Sequence, residues 1–310
     1  MTLAAEDFAE RRRLRRSRRF WRVLAILAIV AALLALAWRV ADEGSSTAAP
    51  HIARVDIEGV IAGDDRLLSM LDEIRERDSV EAVVLHVDSP GGTAVGGEAT
   101  YAALRELAAE KPLVAQVSTL AASAGYMVAV AADHIVARNT SIVGSIGVIV
   151  QVPNVDELLE RVGVDVVAIK SAPLKAEPSP FDPIEPDEVA MMQRMVNDSY
   201  EWFVALVAER RPFDEASARA LADGSVFSGR QALENGLVDS LGGQEAVEAA
   251  LAARDIDPEL PVIRYEPRRE DEGLAGLLLS TVPGVAAAGE RLKRALPLDG
   301  MVALWQGPAR

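Results

Sequence analysis

Two residues open a route to nucleophilic catalysis. Ser123 stands in Leu120-Ala-Ala-Ser-Ala-Gly-Tyr126. Small neighbours there let another chain approach closely, and a helix starting at the serine would add the positive end of its dipole. A serine attacks only when a base takes its proton, and capping a helix is the other ordinary use of a serine at such a place. The candidate base is a lysine. The chain holds 28 arginines but four lysines, and two of these, Lys170 and Lys175, fall in Ile169-Lys-Ser-Ala-Pro-Leu-Lys175. Arginine keeps its proton in a protein, whereas lysine can lose it. To be neutral near pH 7 a lysine must give up its proton about 3.4 pH units below its ordinary value, at a cost of about 4.6 kcal/mol. Burial against apolar walls can supply that. A solvated loop lysine is the alternative. The run Asp88-Ser-Pro-Gly-Gly92 adds paired glycines that either aim backbone N–H groups at a developing oxyanion or make a plain turn.

Other chemistries fare worse. There is no cysteine, so disulfides, thiolate metal sites and cysteine nucleophiles are excluded. His51, His86 and His134 are scattered, with no metal-ligand spacing. His134 lies too close to Ser123 along the chain to serve as its base across an intervening helix, and His86 sits inside an apolar run, so both read as structural. No cofactor is expected.

The elements that would position these residues alternate in type. His51–Ile57 reads as a strand, 65–77 as a helix, 82–87 as an apolar strand, 97–110 as a helix and 113–117 as a strand. Ala121 to Ala132 reads as a nearly all-apolar, buried helix, followed by strands at 135–137, 142–150 and 164–169, with a helix at 155–162 between the last two. Pro186 to Arg211 reads as a long amphipathic helix. Repeated strand–helix alternation implies parallel pairing in an α/β layered fold.

The net charge of −15 is unevenly spread. Met1 to Arg22 holds eight arginines against Glu6, Asp7 and Glu10, so the acidic excess lies in the remainder. An acidic body argues against nucleic-acid binding. After the basic stretch, Val23 to Trp38 is uncharged and flanked by Arg22 and Arg39. Its sixteen residues would span roughly 24 Å as a helix, and the flanking aromatics and snorkelling arginines can cover the rest of a bilayer core. The expected organisation is a basic cytoplasmic segment at 1–22, a transmembrane anchor at 23–40, a linker at 41–50, the main domain at 51–266 and an extension of open role at 267–310. Positive charge stays inside, which puts the main domain outside the cytoplasm. A cleaved signal peptide is the alternative reading of the apolar run.

The ordered set of segments resembles the signal-peptide peptidase A (protease IV) family in its short form. It comprises Asp88–Gly92, Ala121–Tyr126, Ala131–Val136, Val143–Val148, Ile169–Lys175, Met195–Tyr200, Gly229–Ala232 and Gly236–Asp239, across roughly His51 to Ala253. The resemblance implies a ClpP/crotonase-like fold of repeated ββα units behind one transmembrane helix. It implies Ser123 as nucleophile, Lys175 as general base, Ser145 orienting the lysine, and Gly92 with the Ala124 N–H as the oxyanion hole. Ala124 stands where the family usually has glycine, which narrows the backbone angles allowed there. The resemblance also implies a homo-oligomeric ring, an octamer, at the inner membrane with the catalytic domain periplasmic. The substrates implied are peptides, namely spent signal peptides and hydrophobic segments. Two rival readings are a crotonase-type enzyme acting on acyl-CoA thioesters and a catalytically silent membrane scaffold.

Overall fold

The computed structural model describes residues 49–267 and the backbone of strand 302–304. The anchor at 23–40 and the stretch 273–288 fall outside the described residues. Among the described residues no helix is long and apolar enough to cross a membrane.

One sheet organises the molecule. Its strands are β1 (His51–Ile61), β2 (Val80–Thr93), β3 (Leu113–Ala122), β4 (His134–Ala137), β5 (Ile142–Gly144), β6 (Val226–Ser228), β7 (Ser240–Leu241), β8 (Val262–Tyr265) and β9 (Val302–Leu304). The helices are α1 (Asp65–Glu76), α2 (Ala94–Glu110), α3 (Ala124–Ala129), α4 (Asp156–Val162), α5 (Pro186–Arg210), α6 (Glu215–Leu221), α7 (Gly229–Glu234) and α8 (Gln244–Ala252). The main path runs β6-β5-β3-β2-β1-β8. Pairing is parallel from β8 through β1, β2 and β3, as the alternation of strands and helices predicts, and antiparallel at β5–β6 and β2–β9. The fold is α/β.

Alternate residues of each strand feed two apolar layers. Val55 and Ile57, Leu85 and Val87, with Val117, face α1, α2, α3 and α5, where Leu71, Leu104, Tyr126 and Phe203 are buried. Ile52, Ala82, Val84 and Val114 face the other way, against Val247 and Leu251 of α8. Further along the same strands that second face turns polar, through Arg54, Asp56, His86 and Gln116.

β3 changes neighbours along its length. Val114 to Val117 pair with β4, whereas Leu120 to Ala122 pair with β5. This corrects the expectation of one helix from Ala121 to Ala132: Ala121 and Ala122 finish the strand, and α3 begins only at Ala124. A run of alanines has no period to choose between the two forms, and the ladder to β5 decides it. A second correction concerns 164–169, expected as a strand. Among the described residues no strand pairs with it, and it lies open, with Val167 83% and Ile169 99% exposed. The strand expected over 142–150 ends at Gly144.

Candidate active site

Ser123 occupies a sharp strand-to-helix junction. Its N–H donates to the Gly144 carbonyl at 2.8 Å, extending the β3–β5 ladder by one step, and its own carbonyl accepts from Met127 N–H at 3.0 Å, inside α3. Between those bonds the backbone turns through φ 56°, ψ −122°, a conformation that costs a non-glycine residue about 1–3 kcal/mol. Ser123 sits at the N-cap position, yet its hydroxyl makes no capping hydrogen bond. The structural use of a serine there, worth about 1 kcal/mol, is therefore not being made. The residue is 1% exposed. A strained serine that does not cap its helix is what presentation of the hydroxyl as a reagent requires.

The glycine run packs against this junction. Ser89 is buried, and its hydroxyl donates to the Gly59 carbonyl at 2.7 Å and accepts from Gly91 N–H at 3.1 Å, closing the Ser-Pro-Gly turn. Gly91 has φ 110°. A Cβ on Gly92 would lie 1.8 Å from the Ile61 carbonyl oxygen, so β1 and β2 approach as closely as only glycine allows. On α3, a Cβ on Gly125 would lie 2.6 Å from the Ser89 carbonyl oxygen. One on Gly97 would meet Ala124 Cβ at 3.0 Å. Both ends of the 89–97 segment thus touch the first turn of α3, with Gly92 between them. Ser145 follows Gly144 directly, has φ 51°, and donates its N–H to Ser225 O at 2.7 Å. The two serines directly follow the last paired residues of their strands, Ala122 and Gly144. The structure therefore gathers Ser123, Ala124, Ser145 and Gly92 in one neighbourhood.

Lys175 is not brought into it within one chain. The lysine is exposed, its backbone N–H donates to Ala172 O at 3.1 Å, and among the described residues no hydrogen bond joins it to Ser123 or Ser145. Lys170, the other lysine of that run, is ion-paired with buried Glu177 and lies 3.8 Å from Asp182. It is committed to holding its own loop.

Comparison with known proteins decides the family. Residues 105–256 match the model of peptidase family S49. A Synechocystis protein named as a protease is 38% identical over 211 residues, 67% of this chain and 76% of that one. A similarly named protein of Methanocaldococcus jannaschii is 37% identical over 76% of each chain. An Enterococcus faecium protein named as a signal peptide peptidase SppA is 34% identical, over 73% of this chain and 69% of that one. The chain belongs to peptidase family S49, the signal-peptide peptidase A family. It is a serine-type protease.

In this S49 peptidase the histidines are structural, as the sequence suggests. His134 Nε2 meets Ser240 Oγ at 2.8 Å, and burial lowers its pKa. His86 Nε2 meets Ser118 Oγ at 2.5 Å, while Asp56 lies 3.6 Å from its Nδ1, too far for a hydrogen bond. Asp56 is instead gripped by Arg54 and Arg264 at 2.7 and 2.6 Å. Burial, then the charge of Arg54, holds the His86 pKa below its ordinary value. A triad order exists there, but the acid of that order is engaged by two arginines and makes no hydrogen bond to the imidazole.

Sequence reasoning missed the residues that hold the junction in place. Asp88 accepts from Leu120 N–H at 3.2 Å and Thr119 Oγ1 at 3.1 Å, tying β2 to β3 just where their ladder shifts register. Behind α3, the buried Tyr126 hydroxyl donates to Leu237 O at 2.8 Å. Arg211 grips Asp239 with two bonds of 3.0 and 2.9 Å, and Asp239 also accepts from Ile135 N–H. Asp88, Ser89 and Asp239 all lie in the quoted motifs, so the signal was present without its meaning. Each acts through a bond to residues distant in sequence.

Proposed function

We propose that this S49 peptidase is a membrane-anchored serine endopeptidase with a Ser123–Lys175 dyad that degrades spent signal peptides and other hydrophobic segments at the membrane. The observation that carries the reading is the Ser123 junction: a buried serine in a strained backbone, making no cap, beside the glycine run and Ser145. In the proposed reaction neutral Lys175 takes the Ser123 Oγ proton as the oxygen attacks the scissile carbonyl. The N–H groups of Gly92 and Ala124 receive the oxyanion, and Ser145 orients the lysine. The lysine then protonates the leaving amine, and water resolves the acyl-enzyme. No metal or cofactor takes part.

The exposure of Lys175 fits a site completed by assembly. The stretch that carries it holds Val164, Val166, Val167, Ile169 and Leu174, all exposed, whereas the central strands β2 and β3 bury most of their apolar residues. A ring of copies, eight by family resemblance, would cover this stretch and deliver the lysine of one copy to the serine of another. The ββα organisation of ClpP/crotonase-like proteins suits a parallel sheet with its nucleophile at a strand-to-helix junction. The anchor at 23–40 would hold the domain, 51–266, on the extracytoplasmic side of the inner membrane, beside substrates that live in the bilayer.

The test is direct. Full-length protein in detergent should cleave an apolar fluorogenic peptide, and a fluorophosphonate should label Ser123 by mass spectrometry. Ser123→Ala should abolish both. Cleavage that survives Ser123→Ala would defeat the proposal.

A further inference from the structure

Three residues of β3 stand opposite one residue of β2 just before the Ser123 junction. Val87 pairs with Val117 and Ser89 with Ala121, so Ser118, Thr119 and Leu120 share Asp88 as their only counterpart on β2. The same residues span the change of neighbour on the other side, since the β4 ladder stops at Val117 and the β5 ladder starts at Leu120. A bulge bends its strand and interrupts its ladder, and bulges recur beside active sites, where they re-aim a side chain. Here side chains take over what the ladder gives up. The Asp88 carboxylate accepts from Leu120 N–H at 3.2 Å through one oxygen and from Thr119 Oγ1 at 3.1 Å through the other. Ser141 Oγ donates to the Ser118 carbonyl at 2.5 Å.

Asp88 joins the two arms of the candidate site. It opens the run that ends at Gly92, and its partner Leu120 lies three residues before Ser123. The same run meets the chain again just after the junction, where a Cβ on Gly125 would lie 2.6 Å from the Ser89 carbonyl oxygen. Ser123 is therefore bracketed, fastened ahead by Asp88 and behind by Ser89. A serine at φ 56° and ψ −122° keeps that conformation only where its surroundings over-determine it.

We infer that Asp88 is a positioning residue, whose carboxylate straps β3 to the glycine run and so fixes Ser123 against the Gly92 arm of the proposed oxyanion hole. The inference rests on the peptidase reading. Both Asp88 oxygens are spent on β3, so the residue acts through Ser123 and not on substrate. Without the strap the bulge relaxes and the hydroxyl moves relative to the Gly92 N–H, and a displacement of about 1 Å costs about a hundredfold in rate. Peptide contacts stay as they were, so the loss falls on kcat.

The experiment uses full-length protein in detergent, reading kcat and KM on an apolar fluorogenic peptide and the rate of fluorophosphonate labelling of Ser123. Asp88→Ala should lower kcat and the labelling rate about ten- to a hundredfold, with KM within about twofold of wild type. Asp88→Asn keeps a carbonyl oxygen for the Leu120 N–H and offers Thr119 Oγ1 an amide donor, which a hydroxyl can accept, so kcat should return to within about threefold of wild type. Thr119→Val removes one bond at an exposed residue and should lower kcat about two- to fivefold, a reading that stands even where Asp88→Ala does not fold. Leu251→Ala opens a cavity on the other face of the sheet and supplies the control: it should lower Tm at least as far as Asp88→Ala and leave kcat unchanged. Wild-type kcat in Asp88→Ala, the same loss in Leu251→Ala, or no rescue by Asp88→Asn would each overturn the inference and leave the peptidase in place. Wild-type protein that neither cleaves peptide nor takes the label would instead defeat the peptidase reading, and this inference with it.

Discussion

The proposed completion of the site between copies makes a quantitative prediction. Ser123→Ala and Lys175→Ala chains should each be inactive alone, since losing the nucleophile or base of such a unit costs about 10⁴-fold or more. Co-expressed in equal amounts, the two chains assemble at random. A productive site then needs an intact serine from one copy and an intact lysine from its neighbour, each present half the time. Activity should return to roughly a quarter of wild type, as a head-to-tail ring requires. A dyad built within one chain gives no recovery, because every chain lacks one member. The exposed stretch supplies the control. Ile169, 99% exposed, touches little in its own chain, so Ile169→Asp should change single-chain stability by no more than about 0.5 kcal/mol. Burying that isoleucine between copies is worth about 1.5–3 kcal/mol, so the same change should weaken association at least tenfold and remove activity on dilution. Fluorogenic peptide cleavage and sedimentation velocity read both quantities. Proven mixed assemblies with no activity, or an Ile169→Asp protein fully active as a monomer, would refute the reasoning.

Three further outcomes follow from particular contacts. Gly92→Ala places a methyl where the Ile61 carbonyl oxygen already sits, so β1 and β2 must separate, at about 3 kcal/mol or more by thermal unfolding, with loss of peptidase activity. Arg211→Ala leaves half-buried Asp239 without its cation and should cost about 3 kcal/mol at pH 7. Burial alone would raise the Asp239 pKa, but the Arg211 hydrogen bonds and charge outweigh it and hold it below the usual value. The pair's stabilisation is thus fully present above the unfolded carboxylate value of about 3.9 and is lost as pH falls through the lower folded value. The gap in unfolding free energy between wild type and Arg211→Ala should be largest near pH 7 and narrow as pH falls through the carboxylate range, and a gap that widens in acid would contradict the assignment. Lys175→Arg keeps the charge but cannot accept a proton, so peptide cleavage should fall at least a hundredfold; near-normal rates would remove Lys175 from the reaction.

Much of the frame is legible in the sequence because the frame is periodic. β1, α1, α2 and α5 lie within a few residues of where apolar spacing places them, and the parallel sheet follows from their alternation. What periodicity could not supply was the end of β3 in the nearly all-apolar stretch from Ala121, and with it the break at Ser123, which is set by pairing with a strand some twenty residues on. The stretch 164–169 shows the reverse failure. Its apolar run is a strand signal, but among the described residues no strand pairs with it. β9 is too short to carry any pattern. At the site, the motifs named Ser123, Ala124, Ser145 and Gly92 but could not show that Lys175 is exposed on its own loop, because a motif records residue types and not their burial.

Ser145 joins these threads in a last prediction. Two serines with positive φ, Ser123 at 56° and Ser145 at 51°, stand side by side on neighbouring segments, each pinned by a backbone bond, to Gly144 O and Ser225 O. Each conformation costs about 1–3 kcal/mol in a protein whose whole stability is of order 5–15 kcal/mol, and glycine would relieve it. At Ser145 the side chain has no structural claim among the described hydrogen bonds, so Ser145→Gly should stabilise the fold by about 1 kcal/mol and raise Tm by about 2–4 °C. If Ser145 is kept to orient the lysine, the same change should lower kcat while KM stays near its wild-type value. A Ser145→Gly protein that is less stable, or one as active as wild type, would show that the strain at this position serves something other than the lysine.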